Sequence, residues 1–100
     1  MKLSGAQVAA ARELLKITQA ELAAASGLGL QTIFGFESGK HEPYPSTVAK
    51  IRAELERRGI EFTNGDSPPS SGAGMGVRIN FDKAAMFARQ SAVEKSETDR

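Results

Sequence analysis

The chain contains no cysteine, so neither a disulfide framework nor a thiolate metal site can be built from it. It has one histidine, His41, which cannot assemble a metal centre alone and has no nucleophile or orienting partner near it in sequence. No apolar run approaches the roughly 18 residues that a membrane helix needs. The N-terminus carries one lysine and no apolar stretch of the signal-peptide type. These absences point to a cytoplasmic protein with no membrane partner. Net charge is also small: 13 Lys and Arg against 12 Asp and Glu leave +1. The overall balance is therefore weak support for a nucleic-acid partner, and local positions must carry that argument. No catalytic dyad, metal cluster or phosphate loop is present, so neither enzyme activity nor a cofactor is expected.

What is present is 100 residues, enough for one core, organised in three parts. Residues 1–59 read as helical with short connections. Residues 60–80 hold two strand-like runs around a Gly/Ser/Pro loop. Residues 81–100 read as a short helix and a charged tail.

The helical part carries repeated start signals. Ser4 and Gln7 have capping-box spacing, with Leu3 and Val8 as the flanking hydrophobic staple. Thr18 and Glu21 form a second box, with Ile17 and Leu22 as its staple. Leu28 and Ile33 repeat the staple spacing around Gly29, a weaker N-cap. Helices are predicted to start near residues 5, 19 and 30. A fourth begins at Pro45-Ser46, with Val48, Ile51 and Leu55 on one stripe and Gly59 as its stop. Arg52, Glu56, Arg57 and Arg58 fall on its wetter sides, the last two favouring the helix dipole.

Ile60-Glu61-Phe62-Thr63 and Val77-Arg78-Ile79-Asn80 alternate apolar with polar, which predicts an antiparallel hairpin. The segment 64–76 between them is rich in Gly, Pro and Ser and reads as a mobile loop. Asp82 is positioned to cap a last helix from Lys83 to about Lys95, with Phe81 and Met86 as a staple. Its apolar side is Ala85, Met86, Ala88, Ala92 and Val93, expected in the core or a dimer contact, and residues from Ser96 are expected to fray. Of the two uses open to residues 60–95, extending the core or forming a dimer interface, the interface is preferred, because the helical part is complete without them.

Residues 17–39 have the pattern of a helix-turn-helix. Leu22 faces the core, Ala23 is small where two helices come closest, and Gly27 sits in the turn, where a positive φ is needed. Leu28, Ile33 and Phe36 are the apolar positions of the turn and second helix. Two short helices crossing at roughly 90–120° need this set of positions.

Taken with Arg12, the run Thr18-Gln19-Ala20-Glu21-Leu22-Ala23, Ser26-Gly27-Leu28, Thr32-Ile33 and Glu37-Ser38-Gly39-Lys40, the chain resembles the lambda-repressor-like (Xre/Cro/CI-type) helix-turn-helix regulators over residues 4–58. Gly59-Ile60-Glu61-Phe62 resembles the strand that follows the fourth helix in some short bacterial members. The resemblance implies a mainly α fold, a bundle of four to five helices, here with an appended β-hairpin and C-terminal helix. It also implies a homodimer on double-stranded DNA.

Residue by residue, the resemblance implies that Gln19 meets a backbone phosphate at a helix N-terminus. It implies that Arg12 and Glu37 form a partly buried structural ion pair. Gln31 and Thr32 fall on the early turns of the recognition helix, where an amide can pair with adenine. Leu30 is placed to meet a thymine methyl, and Ser38, Lys40 and His41 to approach phosphate. The outward positions of that helix read as Leu30, Gln31, Phe34 and Gly35, with no Lys or Arg. Phe34 has three readings: part of the core, a protein contact or a DNA contact. His41 also reads as a plain loop residue.

The expected function is a dimeric DNA-binding repressor with readout biased to A·T pairs. The alternative is a protein-interaction module on the same scaffold (an antirepressor, adaptor or antitoxin) with Leu30, Phe34 and Phe36 as its patch.

Overall fold

The first three helices of the core start at the expected residues, two of them on reciprocal capping boxes. The computed structural model describes residues 3–64 and 74–98, without the side chains of 64 and 93–98. Helix α1 (Gly5–Leu15) follows the N-cap Ser4, whose hydroxyl accepts from the Gln7 N–H while the Gln7 side chain accepts from the Ser4 N–H. Helix α2 (Gln19–Ser26) starts on the same reciprocal box from Thr18 and Glu21. Helix α3 (Leu30–Glu37) follows Gly29, which has no side chain to cap with. Between α2 and α3, Gly27 has φ +70°, the left-handed turn that an L side chain rarely adopts. Helix α4 (Pro45–Arg57) has Pro at its first position, where no N–H is needed.

Each of these helices contributes to one core of Leu3, Val8, Ala11, Leu22, Ala23, Ile33, Phe36, Ile51, Leu55 and Ile60. The staple residues Leu3 and Val8 are both buried. Phe36 is 6% exposed and belongs to this core, as the helix-turn-helix pattern requires and against its use in the alternative binding patch. Its position three residues after Ile33 puts both on the inward stripe of α3.

Strands β1 (Ile60–Asn64) and β2 (Met75–Ile79) pair antiparallel, with Ile60 opposite Ile79 and Phe62 opposite Val77. The alternation predicts this pairing, but the preferred use of the hairpin as a dimer interface does not hold for its inner face. Ile60 is fully buried in the helical core, and Phe62, Val77 and Ile79 pack against it. The side-chain amide of Gln7 donates to the carbonyls of Thr63 (3.4 Å) and Gly76 (3.0 Å), tying α1 to both strands. The hairpin is thus part of the same core. Most of the expected mobile segment 64–76 lies outside the described residues.

Helix α5 (Phe81–Thr98) starts two residues earlier than expected and runs on past Ser96. Its cap is Asn80, whose side-chain oxygen accepts from the Lys83 N–H at 3.1 Å; Asp82 lies inside the first turn. Phe81 and Met86 do not form a staple: they are 78% and 62% exposed. Ala84, Phe87 and Ser91 are the half-buried side of α5, while Ala85, Met86, Ala88 and Ala92 stand exposed. The apolar side read from sequence therefore faces outward, apart from Val93, whose side chain lies outside the described ones. No described helix is long and apolar enough to cross a membrane.

Candidate nucleic-acid interface

Helix α3 is held at its C-terminal end by one carboxylate. Arg12 from α1 meets Glu37 in a two-pronged contact, Nε to Oε2 at 2.7 Å and Nη2 to Oε1 at 2.8 Å. Its remaining terminal nitrogen, Nη1, donates to the Ile17 carbonyl at 3.0 Å. The pair is largely buried, with side-chain exposures of 18% and 6%. The hydrogen bond to Glu37 raises the Arg12 pKa, against the opposing effect of burial. A planar guanidinium on a carboxylate defines orientation as well as distance. The expected structural ion pair is therefore present, and it fixes α3 relative to α1.

Gln19 joins this network. Its side-chain amide donates to Glu37 Oε1 at 3.1 Å, so the half-buried side chain is turned toward the protein. An amide nitrogen has two hydrogens, so one remains for an external acceptor. The carboxylate thus sets the position from which Gln19 can act.

The exposed arc of α3 is made by Leu30, Gln31 and Phe34. Leu30 is 48% and Phe34 43% exposed, which excludes Phe34 from the core. Residues four apart on a helix are surface neighbours, so Leu30 and Phe34 form one strip and Gln31 begins the next. Thr32 is half-buried, about 200° around the helix from Leu30. It does not share the arc with Leu30 and Phe34.

Gly35, on the outward side with Gln31, is buried because another residue covers it. The imidazole of His41 lies over it. The ring carbons Cδ2 and Cε1 are 2.6 and 2.7 Å from where a Cβ on residue 35 would be, and Nε2 is nearer still. The N–H groups of Lys40 and His41 both donate to the Gly35 carbonyl, at 3.0 and 3.5 Å, and so does the Ser38 hydroxyl at 3.3 Å. The turn after α3 is thereby folded back onto the helix. It brings Lys40 Nζ to 5.0 Å from the centroid of the Phe34 ring, a cation–π contact. The missing cation of α3 is thus supplied beside it by the following turn. Sequence spacing cannot show this, because the fold-back depends on a residue with no side chain.

A second network is not among the expectations from sequence. Glu54 is a buried carboxylate that accepts from Arg57 (2.9 and 3.2 Å) and Arg58 (2.6 Å). Both guanidinium groups also sit 4.8 Å from the Phe87 ring centroid. Arg57 and Arg58 therefore do more than cover a helix end: they join α4 to α5. The signal that could have found them is the Glu54-to-Arg58 spacing of four, read with an aromatic on the next helix.

The described geometry is a short helix presented on the second arm of a tight α2–turn–α3 unit, with donors from the turn beside it. No curated protein matches the chain. A family model for the helix-turn-helix matches residues 8–62, more than half of the chain, from α1 through the first residues of β1. The chain belongs to the lambda-repressor-like Xre/Cro/CI family of helix-turn-helix DNA-binding regulators.

Proposed function

We propose that the protein is a sequence-specific repressor that binds double-stranded DNA as a homodimer, in the cytoplasm. The observation that carries this reading is the presentation of α3. Its exposed arc stands free while the Arg12–Glu37–Gln19 network locks its base. A recognition helix enters the major groove N-terminus first, and that end carries Leu30 and Gln31. Gln31 pairs with adenine, Leu30 and Phe34 meet thymine methyls, and Thr32 lies at the margin of the contact. Gln19, Ser38 and Lys40 hold phosphates on either side, where contacts fix register but carry no sequence information. Support for the dimer comes from α5, whose Phe81, Ala85, Ala88 and Ala92 are exposed and lie at one-face spacing.

The experiment is selection from a random duplex library at two salt concentrations, with the mass of the protein measured in solution. Recovery of an A·T-biased palindromic site that weakens steeply with salt supports the reading. No enrichment at low salt removes it, and a monomer at binding concentrations removes the dimer. The exposed pair Leu30 and Phe34 also favours a second reading, a protein-binding patch on the same scaffold. It gains if Phe34→Ala abolishes capture of a defined protein partner while no duplex is enriched.

A further inference from the structure

We propose that His41 acts as a side chain of the recognition helix, filling the place that Gly35 leaves empty, and that its imidazole N–H reads a purine N7 in the major groove. This rests on the DNA-binding reading above and changes the role of His41 from a loop residue near phosphate to a base-reading group. Gly35 follows Gln31 by four residues, so the two positions are neighbours on one strip of α3. Gln31 is exposed on that strip, and at the next position the surface is formed by the His41 ring. The ring is placed by backbone, since the N–H groups of residues 40 and 41 both end on the Gly35 carbonyl. A Cβ at residue 35 would collide with the ring; glycine is what lets the imidazole in.

Among the described residues neither ring nitrogen has a hydrogen-bond partner, and the residue is exposed. A neutral imidazole has one N–H donor. In the major groove both purines present N7 as an acceptor. The exposed strip of α3 has no other N–H donor besides the Gln31 amide, so His41 supplies a donor that Leu30 and Phe34 cannot.

The test uses the duplex enriched by the wild-type chain. Each purine in turn is replaced by its 7-deaza analogue, which exchanges N7 for carbon and keeps the Watson–Crick edge. Besides the adenine that Gln31 pairs with through N6 and N7, one further purine per half-site should lose about 3- to 10-fold in affinity with the wild-type protein, the range of a single hydrogen bond. His41→Phe fills the same space without an N–H. It should bind the unmodified duplex more weakly by a similar factor and be indifferent to the 7-deaza change at that position. A purely structural His41 predicts instead that His41→Phe keeps the same 7-deaza response as wild type, which overturns the inference. If His41→Phe does not fold, His41→Ala is compared in the same scan. An enriched duplex indifferent to 7-deaza substitution at every purine overturns this inference and leaves the DNA-binding reading standing. Failure to enrich any duplex overturns both.

Discussion

Two carboxylates, Glu37 and Glu54, each collect two side-chain donors, but they hold different things. Glu37 joins α1, α2 and α3, through Arg12 and Gln19, across 25 and 18 residues of sequence. Glu54 collects Arg57 and Arg58 from its own helix, three and four residues on. Its link to another element is indirect, through the stacking of those two arginines on Phe87 of α5. The first carboxylate ties down the core and the presented helix. The second ties an appendage to a core that is already complete. Loss of a contact at Glu37 should therefore be felt globally, and loss at Phe87 only locally.

The largest effect is expected at the first network. Arg12→Ala leaves the buried Glu37 charge with only the Gln19 amide, and chemical denaturation should show a loss of about 3 kcal/mol, the lower end for a broken buried pair. Arg12→Lys should recover only part of it, because an ammonium cannot reproduce the two-pronged contact. Full recovery by lysine would show that charge alone matters there.

Next is the second contact in the last turn of α3, where His41 covers Gly35. Gly35→Ala should destabilise by about 1–3 kcal/mol, because the new methyl overlaps the His41 ring. Adding His41→Ala should remove most of that cost, so the two changes should be far from additive in a double-mutant cycle. Additive losses would mean that the ring moves aside freely.

A smaller change is expected at α5. Phe87→Ala should cost about 1 kcal/mol. Hydrogen exchange should show α5 amides losing protection while those of α1–α3 keep theirs. Equal loss in both would erase the distinction between core and appendage.

The smallest effect is an acid one. Glu61 is held below the ordinary glutamate pKa, first by the hydrogen bond from Asn80, with Lys83 and Arg78 adding to it. A lowered folded-state pKa means that the contribution is present above the unfolded value and disappears as pH falls through the folded one. Below about pH 4 the start of α5 should loosen while α1–α3 stay folded. Amide exchange or NMR line shapes at Asn80 to Ala84 would register this. An unchanged signal down to the acid unfolding of the whole chain would show that Glu61 does not hold the junction.

Legibility in the sequence divides along the same line as stability. The starts of α1, α2 and α3 were readable to the residue, because caps and staples act within one turn and leave their spacing in the sequence. Arg12 and Glu37 were readable only through likeness to a family, since nothing local joins residues 25 apart. The start of α5 was misread for a related reason. Asn80 and Asp82 are both good caps, and the choice fell to Asn80, whose N–H also donates to the Gly59 carbonyl at 2.7 Å and whose amide donates to Glu61 at 3.1 Å. The hairpin was found by its alternation, but its place in the core required knowing that Ile60 and the Gln7 amide meet it.

The two networks differ in what could be foreseen, and so do the two faces of α3. Sequence by itself determined the helix-turn-helix: local hydrogen bonds, a left-handed Gly27 and an apolar period are short-range and encode themselves. Only the tertiary structure decided what surface that unit presents. Gln19 turns inward because a buried carboxylate needs donors. Lys40 and His41 come onto the recognition helix because a glycine leaves room for an imidazole. Phe81 and Ala85 point outward because the inward side of α5 is taken by Ala84 and Phe87. Each of these outcomes depends on a partner brought close by folding, and no residue's own spacing can specify it.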